Sequence, residues 1–323
     1  MTTYKRQRYL LMSTDPVHIG TGGYRLGRVD NSIVREPGTK VPKIPGTSLS
    51  GAARAYAASQ YGSLTCAGQK DHCGDGQKCP ICYTFGYLKE TGGETKAFSG
   101  VANLFDAHVL LFPVHSMAGP VWVSTPERLR EADFTVTGVP TDEDWKAEQG
   151  LCTWERKDAL NLGWLMLEAG PQVGVTAPQN WKDTKRWQAI KERIVLVKEN
   201  LFGQVVNSNL EVRTSVSIDP ARGAAEEGAL FTYEALPRTT FLVCEVVLDD
   251  YRDEQNPRPF PVKKTKKGNV LPGSPWKDPL DVVRAGFSMM EWLGVGGMGT
   301  RGFGRVALAG EPLTQEWGKE EWK

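Results

Sequence analysis

The chain has 323 residues, 40% of them hydrophobic and 24% charged, with 39 Lys plus Arg against 38 Asp plus Glu for a net charge of +1. That size suits one large domain with insertions or two modest ones, and the charge balance excludes a wholly basic nucleic-acid coat while leaving local grooves open. With no positively charged apolar leader and no apolar run long enough to cross a bilayer, the sequence predicts a soluble, cytoplasmic protein.

Residues 8–19, RYLLMSTDPVHI, have strand character up to Pro16, and a polar loop with Gly20, Gly22, Gly23 and Gly27 follows. After Ile44-Pro45-Gly46, the stretch TSLSGAARAYAASQYG reads as a helix with Thr47 or Ser48 as its cap and Gly62 as its end. VANLFDAHVLLFPVH (101–115) reads as one long strand, with His108 and His115 assigned to the core or a subunit contact. STPERLREADF is a capped helix with Pro126 in its first turn. Over 181–201, Trp187, Ile190, Ile194, Val197 and Leu201 recur every three or four residues, which predicts an amphipathic helix.

From 210 to 248 the pattern is that of a long hairpin: LEVRTSVSI, a DPARGAAEEG turn, ALFTYEAL, then TTFLVCEVVL. The run KKTKK (263–267) reads as a solvated loop, DPLDVVRAGFSMMEWL (278–293) as a helix, and GRVALAG as a final strand. This order predicts an α+β fold with a ferredoxin-like, RNA-recognition-like core. The chain would form a single domain over 1–323, with insertions at about 63–98, 130–200 (a helical lid) and 207–240 (the hairpin).

Four of the six cysteines, Cys66, Cys73, Cys79 and Cys82, crowd into CAGQKDHCGDGQKCPIC, with His72 beside Cys73. Thiolates at this spacing match tetrahedral Zn²⁺, with Cys79-Pro-Ile-Cys82 as the tight half and Cys73 as a third ligand. The fourth is Cys66 or His72, and spacing does not choose. With no obvious general base beside it, the zinc reads as structural. A redox pair or free thiols are the alternatives, and Cys152 and Cys244 sit in apolar runs that mark them as core.

GVGGMGTRGFGRV (294–306) joins the last helix to the last strand. It opens no helix after a strand and carries no GK[ST], so it is neither a dinucleotide fingerprint nor a phosphate-binding Walker loop. Its glycines serve either tight packing or close approach of a phosphate backbone, for which Gly296, Gly297, Gly299 and Gly302 would bare their amides beside Arg301 and Arg305. Ser48, Ser50 and Arg54 line the start of a helix whose amide groups suit an anion.

GxGGxGxRGxGRV, HIGTG and IPGTSLSGAAR together resemble the RAMP superfamily of CRISPR ribonucleoproteins. The blocks 18–54, 110–129 and 211–237 are similar to the repeated backbone subunit, fourth of its module, of type III-B (Cmr) systems. CPICYTFG is similar to type III backbone subunits more widely, including the Csm module. The resemblance implies an antiviral, prokaryotic complex in which copies stack head to tail on a guide RNA beside other Cmr-type subunits. A hairpin thumb, here about 207–240 with Arg213, would displace a base of the guide–target duplex at regular intervals. A loop aspartate, here Asp30 in GRVDNSIVRE, would then cut the complementary target RNA with Mg²⁺ or Mn²⁺ present. On its own residues, a lone loop aspartate is an ordinary turn former or salt-bridge partner. His18 is the second catalytic candidate, as a proton donor, and Arg25, Arg28 and Arg35 are candidate phosphate contacts. Many relatives carry a lysine where this chain has Ser50, so Arg54 or Lys43 would take over that guide contact. A noncatalytic RNA-binding scaffold and a single-chain guide-processing nuclease are the other readings.

Overall fold

Strand β1 spans Thr3–Ser13 in the computed structural model, which describes residues 3–22, 29–68, 72–73, 79–91, 94–250, 260 and 276–318. It starts earlier than the expected residue 8 and stops sooner than the expected Pro16. Its side chains alternate between two cores: Tyr9 and Leu11 enter one, Leu10 the other. A strand covered on both faces reads as a continuous apolar run, which is why RYLLM shows no clean alternation.

Strand β2 (Lys43–Ile44) leads into helix α1 (Gly46–Tyr61). Neither Thr47 nor Ser48 caps this helix: Pro45 is at the N-cap, and the Gly46 amide donates to Asp106 Oδ1 at 2.7 Å. Gly62, at φ 77°, ends it as expected. Helix α2 (Pro80–Phe85) and a small hairpin, β3 (Gly86–Thr91) with β4 (Glu94–Ser99), follow. The expected long strand is two, β5 (Ala102–Leu104) and β6 (Ala107–Ser116), because the chain turns at Asp106 to cap α1. Strand β7 (Gly119–Ser124) precedes α3 (Pro126–Glu131), whose N-cap Thr125 accepts from the Arg128 amide.

The region 130–200, expected to be helical, carries more strand than helix, joined by irregular chain. It holds β8 (Thr135–Thr137), β9 (Gln149–Cys152), β10 (Leu160–Leu162), β11 (Leu165–Ala169), β12 (Gly174–Thr176) and β13 (Ile194–Leu196). Its helices α4 (Gln179–Lys182) and α5 (Lys185–Gln188) are single turns. The helix expected over 181–201 is thus broken. Ile194, Val195 and Leu196 are fully buried between β7 and β9, and only Leu201 lies on α6 (Glu199–Ser208). Periodicity cannot separate a doubly buried strand from a buried helical face.

Strands β14 (Glu211–Asp219) and β15 (Ala224–Ala235) form a two-stranded hairpin separate from the main sheet. Its turn is tighter than the expected 219–228, because the Asp219 carboxylate accepts from the Ala221 amide at 2.8 Å and Gly223 adopts φ 63°. Strand β16 (Phe241–Leu248) returns to the sheet. Helix α7 (Pro279–Leu293) opens with a reciprocal Asp278–Asp281 capping box. Strand β17 (Val306–Leu308) is the expected last strand, and β18 (Leu313–Gly318), which the sequence reading did not foresee, pairs with β1.

The result is a mixed α/β fold on one twelve-stranded sheet, ordered β10-β11-β9-β13-β7-β6-β16-β1-β17, with β18 on β1, β2 on β6 and β5 on β16. Tyr9, Leu11 and Phe287 fill the face under α1 and α7. Trp145, Trp181 and Trp187 from the 130–200 region cover Leu10, Leu110 and Phe241 on the other. No described helix is long and apolar enough to cross a membrane. The helices α1 and α7 touch at Gly286, where an added methyl would lie 2.6 Å from Ala53 Cα. Gly286→Ala is therefore expected to lower stability by about 1–3 kcal/mol through overpacking, measured as a shifted denaturant midpoint at unchanged slope.

Candidate nucleic-acid interface and metal centre

The base of the β14–β15 hairpin is gripped from two sides. Because side chains alternate along a strand, Thr232 and Glu234 face one way, while Arg213, Phe231 and Tyr233 face the other. On the first side, residues 30–33 run along the outer edge of β15: the Asn31 amide donates to the Thr232 carbonyl and the Glu234 amide to the Asn31 carbonyl, both at 3.0 Å. Asp30 lies exposed at this edge, and its Oδ2 accepts from the Thr232 amide at 2.6 Å and the Thr232 hydroxyl at 2.9 Å. These bonds, the amide first, hold the Asp30 carboxyl below the usual carboxylate range.

Arg35 is fully engaged in the same region. It bonds Glu234 Oε2 at 2.7 Å, Asn207 Oδ1 at 2.9 Å and the Ile33 carbonyl at 3.0 Å. His18 is 6% exposed, and its Nδ1 lies 2.6 Å from the Glu234 carbonyl oxygen. A carbonyl only accepts, so Nδ1 carries a proton. Arg25 and Arg28 lie outside the described residues.

On the second side stands the glycine loop. Tyr233 packs edge-on against Phe303 at 5.3 Å, the Arg213 guanidinium lies 4.7 Å from the Phe303 ring centre, and that of Arg301 lies 5.7 Å from the Phe231 ring centre. Arg213 also pairs with Glu211 at 2.5 Å, and Arg305 pairs with Asp15. No ion pair is present for Arg301 among the described residues.

The glycines of this loop fall into two groups. Gly296, at φ 88°, would place a methyl 2.6 Å from the His18 carbonyl oxygen, and the Gly297 amide donates to that oxygen at 3.0 Å. Around Gly299 and Gly302 there is only open space. The first pair packs the loop onto the His18 turn; the second leaves backbone open to solvent.

At the start of α1, Lys43 is paired with Glu36 at 2.9 Å and Asp106 at 2.5 Å. Ser48 and Ser50 are half-buried on its first turns. His108 is exposed and lies 3.4 Å from Glu36, and His115 is also exposed, so neither is core. Arg54 points away from this end and into the cysteine region.

There the Sγ atoms of Cys66, Cys73, Cys79 and Cys82 all lie within 4.8 Å of one another. The Cys73–Cys82 and Cys79–Cys66 separations are 3.6 and 3.7 Å. Thiolates tetrahedrally bound at about 2.3 Å from a zinc ion would be about 3.8 Å apart. His72 turns its Nδ1 to Arg54 at 2.9 Å, so Cys66 completes the cluster. Hydrogen bonds from Cys79 and Cys82 hold the Cys66 thiol low and those two thiols high, Cys79 at about 12. Full deprotonation of this donor set calls for a cation, and the cluster could hold a metal.

A family model described as the RAMP superfamily matches residues 11–307. The chain belongs to this superfamily. It is 27% identical over 244 residues to the CRISPR system Cmr endoribonuclease Cmr4 of Pyrococcus furiosus, covering 71% of this chain and 77% of that one. It is 24% identical over 246 residues to the CRISPR system Cms endoribonuclease Csm3 of Methanothermobacter thermautotrophicus, covering 68% and 89%. The fold resembles a chain of a type III-B Cmr-beta complex bound to cognate target RNA, with TM-score 0.60 at 13% identity over 95% of this chain and 96% of that one. It also resembles oligomeric Cmr4 from Pyrococcus furiosus, with TM-score 0.53 at 18% identity over 98% and 100%.

In this RAMP chain the residues of the candidate site that sequence reasoning missed are Thr232 and Glu234, which tie Asp30 and Arg35 to the hairpin. The alternation in LFTYEA was their one visible signal. Thr232→Val, which keeps the amide but removes the hydroxyl, is expected to raise the Asp30 pKa toward its ordinary value. Carboxyl-carbon NMR titration of Asp30 would read this, and an unmoved titration would show that the hydroxyl contributes nothing.

Proposed function

We propose that this chain is the repeated guide-RNA-binding backbone subunit of a type III CRISPR ribonucleoprotein, of the III-B (Cmr) kind, and that it cuts guide-paired target RNA at regular intervals. The observation that carries this reading is the Asp30 site: an ionised, solvent-facing carboxylate anchored to the base of a projecting hairpin, with the glycine loop and Arg301 packed on the hairpin's other face. The endoribonuclease names of both full-length relatives support it. The strand order β6-β16-β1-β17 with α1 and α7 on one face supports a ferredoxin-like core.

Cleavage by attack of a 2′-hydroxyl on its own phosphate needs in-line geometry, a proton acceptor and charge relief. The hairpin, as thumb, splays a nucleotide to supply the geometry. Asp30, with Oδ2 occupied by Thr232, turns Oδ1 toward the hydroxyl and accepts its proton in the transition state. As the 2′-oxygen bonds phosphorus the P–O5′ bond breaks, water protonates the leaving 5′-oxygen and a 2′,3′-cyclic phosphate is left, while Arg301, on the hairpin's other face, serves the guide backbone. His18, buried with its Nδ1 proton on Glu234, positions the hairpin base rather than donating a proton.

Among the described residues no group of three or more metal-ligating side chains includes Asp30, and a single exposed carboxylate of this kind would hold Mg²⁺ or Mn²⁺ through the ion's waters rather than in a protein cage. Cys66, Cys73, Cys79 and Cys82 fit a structural Zn²⁺, which when bound supplies a cross-link and no chemistry. The exposed glycines Gly299 and Gly302 with Arg301, and the α1 turn with Ser48 and Ser50, form the guide face.

Expression of the chain with its neighbouring genes, followed by sequencing of the co-purified RNA, tests the reading. Short RNAs sharing one repeat-derived 5′ tag are expected. Heterogeneous RNA, or none, would sink it.

A further inference from the structure

We propose that Arg54 and Lys89 are the outer charge shell of the cysteine centre, holding in place the two thiolates that no helix holds; this rests on reading the cluster as a metal site. Cys79 and Cys82 need no such help. Cys79 is the N-cap of α2, Pro80 starts that helix, and the Tyr83 amide donates to the Cys79 carbonyl at 2.9 Å. The spacing of three places both sulfurs on one helical turn.

Cys66 and Cys73 are held differently. Cys66 ends a single 3-10 turn (Leu64–Cys66), and Cys73 lies in irregular chain. Each has its carbonyl bonded by a cation: Arg54 Nε donates to the Cys66 carbonyl at 2.8 Å, and Lys89 Nζ to the Cys73 carbonyl at 3.2 Å. Arg54 reaches further. Its Nη2 donates to His72 Nδ1 at 2.9 Å, one residue before Cys73, and its Nη1 lies 3.5 Å from the Phe85 carbonyl at the end of α2. One planar guanidinium on α1 therefore ties together every segment that supplies a sulfur. A lysine at 54 could make only part of this set.

Charge points the same way. Four thiolates around a divalent ion leave two net negative charges, and Arg54 and Lys89 supply two positive ones. Three cysteines of the cluster are buried, so those charges are poorly screened without neighbours of opposite sign. Partners of this kind, one bond removed from the metal, orient ligands and typically change metal affinity 10–100-fold, a range we take as about the effect to expect. Arg54 thus becomes a positioning residue of the metal centre, and its guanidinium is withdrawn from the guide face.

The test uses the full chain, stripped and reloaded with Co²⁺, in competition with a chromophoric chelator. Wild type is expected to take up metal with thiolate-to-cobalt charge-transfer and tetrahedral ligand-field bands. Arg54→Ala should weaken Co²⁺ binding by about 10–100-fold, Arg54→Lys should rescue part of the loss, and Lys89→Ala, whose bond is the more exposed, should lose less. Thermal midpoints are taken before and after chelation. A counter-charge destabilises the loaded protein more when removed, whereas a mere brace of α1 lowers both midpoints equally. Equal Co²⁺ affinity in Arg54→Ala and wild type, or equal midpoint losses, would overturn the proposal. If Arg54→Ala does not fold, Arg54→Lys and Lys89→Ala carry the same comparison. Failure of wild type to bind Co²⁺ would remove the metal reading itself, and with it this one.

Discussion

Asp30→Ala is expected to leave the chain folded and assembled while abolishing target RNA cleavage. Removing a positioned proton acceptor typically costs about 10²–10⁴-fold, and the loss of its charge from beside the reacting phosphate adds to this. The fold should tolerate the change, because Asp30 is exposed and the Thr232 groups it releases can bond water. Asp30→Asn separates charge from geometry: its Oδ1 can still accept from the Thr232 amide, so the loop stays on the hairpin while the acceptor is neutral. The pH profile offers a further check. Thr232 holds the Asp30 carboxyl below its ordinary value. A depressed carboxyl contributes its anchoring above the unfolded pKa of about 3.9 and loses it as pH falls through the folded value. Asp30 is therefore ionised throughout the neutral range, and any rise of cleavage rate with pH there belongs to another group, with the 2′-hydroxyl as the candidate. Assembled complexes carrying Asp30→Ala that cut target normally would remove Asp30 from the mechanism.

Stripping the metal, or Cys82→Ser, is expected to have the largest effect on stability. The cysteines are part of a core as well as a candidate ligand set: Cys66, Cys79 and Cys82 pack with Ala57, Ala58 and Tyr61 of α1, Val282 and Ala285 of α7, and Trp276. Without a cation the crowded sulfurs lose their common centre. Structural zinc contributes about 10–16 kcal/mol of apparent binding energy in isolated finger peptides. In this chain that value is a ceiling, since the main sheet buries its own core. Hydrogen exchange should show the loss of protection spreading from the cysteine segment into the α1–α7 contact while β1 and β16 remain protected. Metal analysis should find about one zinc per chain. Retained protection after chelation, or no zinc in carefully reduced protein, would show that the cysteines are an ordinary apolar cluster.

Much of the frame was legible in the residues. The end of α1 at Gly62, the Thr125 cap of α3, the Asp278 start of α7 and the 211–235 hairpin all rest on local chemistry: left-handed glycine, side-chain acceptors at helix starts, and alternation. The region 130–200 was not legible. Trp145, Trp181, Trp187 and the IVL strand are buried by contact with distant strands, and a buried apolar residue at a spacing of three or four looks alike on a helix and in an irregular layer.

At the candidate site the division is the same. The sequence by itself singled out the glycine run and the cysteine cluster, whose residue types and spacing are local signals, whereas Asp30 and His18 entered as candidates only through the resemblance of their blocks to the RAMP superfamily, a lone loop aspartate being otherwise an ordinary turn former. Only the tertiary structure decided their partners. It placed Thr232 under Asp30, diverted Arg35 to Glu234, Lys43 to Asp106 and Arg54 to the cysteines, and gathered the Cys66 sulfur rather than His72 with the other three. Each of these is a pairing across tens to hundreds of residues. An arginine or lysine in sequence shows a charge; which carboxylate, carbonyl or phosphate satisfies it depends on what folding brings within hydrogen-bond reach.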